Sequence, residues 1–216
     1  MNQWENRLLL VSTESVTETQ PHPPIAFSTL YLSSVLSAYA QHHQTATVRS
    51  IPIQQGLNLE RLWNDLNQGA SPSSEKPSDW MLLPCLESLA SPLTTDTIVA
   101  DLAWDWRLAT VLVVPLRPNA INQTIAYVSL ARQSRCYLKG VLFCAVDQPS
   151  WNDREILAHP SLIQSFIQLP MLGTLPPWEP EASISHLAKL GANLKLEYFF
   201  PCRIDSVLAY SNPMTD

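Results

Sequence analysis

Residues 101–115 read Asp101-Leu-Ala-Trp-Asp-Trp-Arg-Leu-Ala-Thr-Val-Leu-Val-Val-Pro115. The first part belongs to a helix expected over Thr97 to Arg107. It runs into Thr110 to Val114, the clearest buried strand of the chain, apolar at successive positions. A strand without polar alternation is covered on both faces, as in a parallel sheet between helices. The pattern repeats outward. Leu8 to Val11, Ala46 to Ile53, Trp80 to Leu83, Leu138 to Val146 and Met171 to Leu175 are expected strands. Phe27 to His42 carries Leu30, Leu32, Val35, Leu36 and Tyr39 at helical spacing, and Leu57 to Leu66 repeats leucine on one face. Asn119 is expected to cap a helix reaching about Ser134, and Ser183 to Leu196 a last helix. This alternation predicts an α/β fold, a mostly parallel sheet with helices on both faces. Residues 1–216 are expected to form one domain, with 69–79 a flexible loop and 202–216 a loose C-terminal tail.

Composition narrows the function classes. The net charge of −6 with thirteen scattered Lys and Arg argues against nucleic-acid binding, which needs a concentrated basic surface. No apolar run approaches the roughly 18 residues of a membrane span, so a cytoplasmic chain without membrane association is expected. The cysteines, Cys85, Cys136, Cys144 and Cys202, lack metal or redox spacing and are expected as free thiols. His42 and His43 end a helix, where a cationic ring complements the dipole. Trp104 and Trp106 are expected in packing roles. The chain has only five glycines in 216 residues, about a third of the usual share of roughly 7%. Nucleotide folds hold phosphate on glycine-rich loops, so this scarcity bears on function.

Residues 101–115, together with Ala120-Ile-Asn-Gln123, Ser129-Leu-Ala-Arg-Gln133, Leu138-Lys-Gly-Val141, Leu162-Ile-Gln-Ser165 and Pro170-Met-Leu-Gly-Thr-Leu-Pro176, strongly resemble the dethiobiotin synthetase family. The resemblance is good from about Ile98 to Pro201 and weak before it. It implies a P-loop NTPase-like three-layer sandwich, usually dimeric. The family uses ATP, Mg2+ and CO2 to close a ureido ring on 7,8-diaminononanoate.

The residues that carry this chemistry depart from the family pattern. Its phosphate loop, of the type GTDTEVGKT, is matched by Ser12-Thr13-Glu14-Ser15-Val16-Thr17-Glu18-Thr19-Gln20. Thr13, Glu14 and Ser15 are remnants of it. Ser12 and Glu18 fill both glycine positions, Thr19 replaces the phosphate lysine, and Gln20 replaces the magnesium-binding hydroxyl. A second motif, KPIQSG, becomes Ile51-Pro52-Ile53-Gln54-Gln55-Gly56. Gln54 is retained, and Ile51 stands where the catalytic lysine should be. The third, VEGAGG, becomes Leu83-Pro84-Cys85-Leu86-Glu87-Ser88, then Ser91-Pro92-Leu93-Thr94. Pro84 replaces the metal-binding glutamate, Glu87 is expected as a loop acid, and Thr94 is a remnant. Cys144 stands where the adenine-side asparagine is expected.

These losses lead to a non-catalytic binding or regulatory protein, with a protein partner or self-association expected, no cofactor, no metal and the small-molecule ligand left open. The apolar surplus of Ile121, Ile125, Tyr127, Val128 and Leu130 makes residues 120–134 the candidate contact. The alternative is an active ATP- and Mg2+-dependent dethiobiotin synthetase with a rearranged site. It would draw a cation from Arg49, Arg117 or Lys139.

Overall fold

The computed structural model describes residues 6–15, 27–67 and 80–200. The expected features at Val16 to Gln20, including Glu18 and Thr19, lie outside the described residues, as do 69–79, 202–216 and Cys202.

The strands are β1 (Arg7–Ser12), β2 (Val48–Ser50), β3 (Trp80–Ser88), β4 (Ala109–Leu116), β5 (Tyr137–Ala145) and β6 (Met171–Leu175). They form one parallel sheet in the order β2-β3-β1-β4-β5-β6. The helices are α1 (Phe27–His42), α2 (Leu59–Asn67), α3 (Val99–Asp105), α4 (Ala120–Gln133), α5 (Gln148–Asn152), α6 (Arg154–Leu157), α7 (Pro160–Ile167), α8 (Ile184–Ala192) and α9 (Leu196–Phe199). The sheet is therefore the expected one, with Leu8 to Val11 flanked by the strands at Trp80 and Thr110. The single helix expected over Ser183 to Leu196 ends at Ala192, with α9 a separate turn after it. Helices α5, α6 and α7 are not expected from the pattern. They are short, and α5 and α7 open on prolines, Pro149 and Pro160, which suit a first helical turn.

The period-two rule of strands divides the apolar residues between two cores. Leu9 and Val11 of β1, Leu83 of β3, Leu112 and Val114 of β4 and Phe143 of β5 face α2, α3, α4 and α7. Leu8, Leu10, Leu82, Val111, Val113 and Leu142 face α1, α8 and α9. Parallel strands buried on both sides need apolar residues at every position, which explains the continuous runs. The guanidinium of Arg7, 6% exposed, donates to the Leu66 carbonyl at the end of α2, and burial lowers its pKa.

Asn119 occupies the cap position of α4 without a side-chain cap hydrogen bond, contrary to expectation. Its φ of −104° and ψ of 10° differ from the extended backbone usual at a cap. Glu87 lies in β3 and not in a loop. Proline replaces a ladder donor at Pro84, and the β1–β3 register shifts just beyond it, from Leu10 opposite Pro84 to Ser12 opposite Ser88. That bulge carries the third motif.

The scarcity of glycine has a structural counterpart at the helix ends. Gln44, Arg107 and Arg135 follow α1, α3 and α4 with φ of 51°, 50° and 58°. Each sits in the left-handed position usually given to glycine. The following amides, of Thr45, Leu108 and Cys136, donate to Ala40, Ala103 and Ala131, five residues back, as such caps require. Gln168 ends α7 in the same conformation.

Two stability predictions follow from backbone geometry. Arg107→Gly relieves the left-handed strain and should stabilise the fold by about 0.5–1 kcal/mol in urea unfolding. Gly140→Ala should destabilise it by about 1–3 kcal/mol, since the new Cβ would stand 2.6 Å from the Pro170 carbonyl oxygen and 2.7 Å from Leu172.

Candidate functional site

In the strand order, the connection leaving β1 goes to one side and that leaving β3 crosses to the other. The carboxyl ends of β1, β3 and β4 thus meet at the switch point of the sheet, where open α/β folds bind ligands. Residues Ser12 to Ser15 leave β1 there, Ser88 ends β3, Arg117 follows β4, and Gln123 faces them from the first turn of α4.

Two side-chain networks hold Thr13 to Ser15. Toward β4, Gln123 Nε2 donates to Glu14 Oε1 at 3.2 Å, and Thr13 Oγ1 donates to Gln123 Oε1 at 3.4 Å. Arg117 Nε lies 3.5 Å from Glu14 Oε2. That Nε is buried and has no hydrogen bond of good geometry, so the contact is an ion pair by charge and distance. Toward β3, Ser15 and Ser91 share a hydrogen bond at 2.6 Å, and Ser88 and Ser91 another at 2.8 Å. The Ser88 amide donates to Ser15 Oγ at 3.1 Å. Backbone contacts fix the frame: Thr13 N donates to Val113 O and Leu89 N to Ser12 O.

Thr13, Glu14 and Ser15 are therefore brought together at the switch point, and the other remnants are not. Gln54 is exposed in the turn before α2. The Thr94 hydroxyl donates to Asp96 at 2.7 Å and serves its own turn. Ile51 packs on the core beneath β3, and its amide donates to Leu82. Pro84 is buried, and its carbonyl accepts from Ile53. Among the described residues, Arg117 is the cation at this crevice. Arg49 pairs opposite Met81, near the start of β3, and Lys139 lies near the start of β5 over the Tyr137 ring at 5.0 Å. Both belong to the opposite end of the sheet, so neither is a substitute at this site.

Ser88, Ser91 and Gln123 were not singled out as site residues. Single serines and a glutamine on a helix carry no spacing signal, and only the junction of three strand ends makes them neighbours. Trp106 does pack, with its ring 5.2 Å from that of Trp63. Trp104 is 47% exposed, with the Arg135 guanidinium 5.8 Å from its ring, so its packing role is only partial. His42 ends α1 and His43 follows it, with ring centroids 4.9 Å apart.

A hard cation needs several oxygen ligands, usually including carboxylates. Among the described residues no three His, Cys, Asp or Glu side chains gather in one place. The hydroxyls at the end of β3 are spent on one another, and Pro84 brings no side-chain donor. The described residues do not fit the magnesium site implied by the family pattern. An open recess of about 510 Å3 lies at the other end of the sheet, between the last turns of α1 and the start of β2, lined by Ser37, Gln41, Thr45 and Val48 among others.

Burial favours the neutral form of the three described thiols. It pushes Cys85 up to about 12 and Cys136 up to about 11, and raises Cys144 as well. Cys144 lies in β5, 3% exposed.

Residues 26–183 match the AAA domain family AAA_26. An ATP-dependent dethiobiotin synthetase BioD of Crocosphaera subtropica is 34% identical over 180 residues, covering 83% of this chain and 75% of that protein. The protein of the same name from Synechocystis sp. is 36% identical over 143 residues, covering 65% of this chain and 58% of its own length. That of Gloeothece citriformis is 34% identical, with 67% and 62% covered, so the matched part spans less than two thirds of these two. Among solved structures, the cell division ATPase MinD of Pyrococcus furiosus is alike in outline only, at 11% identity and a TM-score of 0.49 over 87% of this chain and 98% of that one. No helix among the described residues is long and apolar enough to cross a membrane.

In a Cys202→Ser chain, a thiol reagent at about pH 8 should label Cys85, Cys136 and Cys144 only after unfolding. Above pH 9 the unfolded chain loses thiol protons that the folded chain keeps. The stability present below pH 9 should therefore fall as pH rises toward 11–12, and fall less in Cys136→Ser. Rapid labelling of the folded chain would contradict both expectations.

Proposed function

The chain belongs to the ATP-dependent dethiobiotin synthetase family, and on that premise we propose that it is a member that no longer closes the ureido ring and acts by binding. One observation carries the reading. At the switch point, Glu14, Gln123 and Thr13 are hydrogen-bonded in series with Arg117 in ion-pair range of Glu14 on one side of β1, and Ser15, Ser88 and Ser91 bond to one another on the other. Sites built for ligands leave polar groups to be completed by the ligand, whereas closed networks spend them within the chain.

The residue types agree with this reading. Phosphoryl transfer depends on cations that neutralise developing charge. The chain offers Thr19 and Ile51 in place of two lysines, and Pro84 in place of a glutamate. Loss of one group is open to compensation, but the three together remove phosphate, carbamate and metal contacts at once. No ATP or Mg2+ requirement is proposed.

A second reading is favoured by the names of the relatives at 34–36% identity: an active synthetase whose cations come from residues outside the pattern. Calorimetry with ATP–Mg2+, with and without 7,8-diaminononanoate, separates the two. The binding-protein reading expects no dethiobiotin formation and no firm nucleotide binding. Turnover by the unmodified chain would replace it with the second reading.

As a binding protein it is proposed to self-associate or hold a protein partner through the α4 face. Ile121, Ile125, Tyr127 and Leu130 are only half-buried there, and Arg132 near the end of α4 donates to the Ile167 carbonyl of α7. On α7, Leu162 and Phe166 are exposed one turn apart, a spacing that places them on one face. Light scattering should detect association at tens of micromolar. Phe166→Ser should weaken it by about tenfold, and a strictly monomeric chain would remove this part of the proposal.

A further inference from the structure

We infer that Glu14 is a built-in counter-anion of the switch point, which keeps Arg117 from binding anionic ligands. The inference rests on the reading of this crevice as the family's ligand site, and it adds what regulates that site.

Both oxygens of Glu14 are engaged, Oε1 by Gln123 and Oε2 by Arg117. The carboxylate therefore lies between the donors that an incoming anion would use. Its backbone is held as well, since the Glu14 amide donates to Ser12 Oγ at 3.2 Å and Ser15 is tied to the end of β3. The family pattern already has an acid here, an aspartate, so acidity alone is not the device. Reach is. An aspartate would fall short by one carbon–carbon bond, roughly 1.5 Å, and the 3.5 Å contact with Arg117 would open beyond ion-pair range. Glutamate closes it. Neutralising Glu14 leaves a guanidinium and a glutamine amide as donors at one crevice, a donor set suited to an anion. Arg117 is 35% and Glu14 19% exposed, so the pair adds little to stability and its removal should spare the fold.

The probe is inorganic pyrophosphate in the absence of metal, followed by calorimetry on the full chain. Glu14→Gln should bind it at least about tenfold more tightly than the unmodified chain. Arg117→Gln added to Glu14→Gln should return affinity to the unmodified level. Urea unfolding of all three forms checks that they are folded. Two results overturn the inference: Glu14→Gln binding no better than the unmodified chain, or the double variant binding as well as Glu14→Gln. Dethiobiotin formation by the unmodified chain would sink the proposed function. It would leave the ratio between variants, and hence this inference, standing.

Discussion

The six residues of β1 are buried on both faces and hydrogen-bonded to strands on both edges. Everything else is arranged around that condition. Leu9 and Val11 contribute to one core while Leu8 and Leu10 contribute to the other, so the strand joins two helical layers that otherwise share only the sheet. A polar residue within Leu8 to Val11 would be desolvated without a partner, because both edges and both faces are already taken. The chain turns polar at Ser12 and Thr13, where β1 reaches the crevice at the strand ends.

That crevice is where the family's fold and this chain's residues diverge. The fold delivers three strand ends and the first turn of α4 to one place, as an α/β sheet with this strand order does. The side chains brought there bond to each other. β3 runs through Pro84 and the bulge that follows and ends on Ser88, beside Ser15 and Ser91. On the other side Arg117 meets Glu14. Scaffold and site have separate physical requirements: apolar volume maintains the first, and a few specific donors the second.

The glycine shortage joins these observations. At helix ends the chain accepts left-handed Gln44, Arg107 and Arg135, a modest conformational cost spread over the fold. At Gly140 it keeps glycine, where a neighbouring backbone oxygen leaves no room for a Cβ. Glycine is kept by packing at Gly140 and Gly191 and by backbone conformation at Gly56, whose φ is 80° with open space around it.

Much of the architecture was legible in residue order. Continuous apolar runs such as Thr110 to Val114 name a doubly covered strand, and α1 and β6 occur within the expected bounds, because burial imposes a periodicity that local sequence displays. The residue types at Ile51 and Pro84 were equally legible, since residue identity needs no coordinates to be seen. The sequence could not show that Glu14 reaches Arg117, 103 positions away, or that Ser15 meets Ser91. Nor could it show that Glu87 continues a strand, or that Lys139 and Arg49 stand at the wrong end of the sheet. Those facts depend on strand order and register, which bring distant residues together with no local signal. Local sequence determined the kinds of element and which residue types stand at the motif positions, through short-range periodicity and residue type. The tertiary structure alone decided which polar groups remain to face one another, because that is a property of how strands are ordered in space.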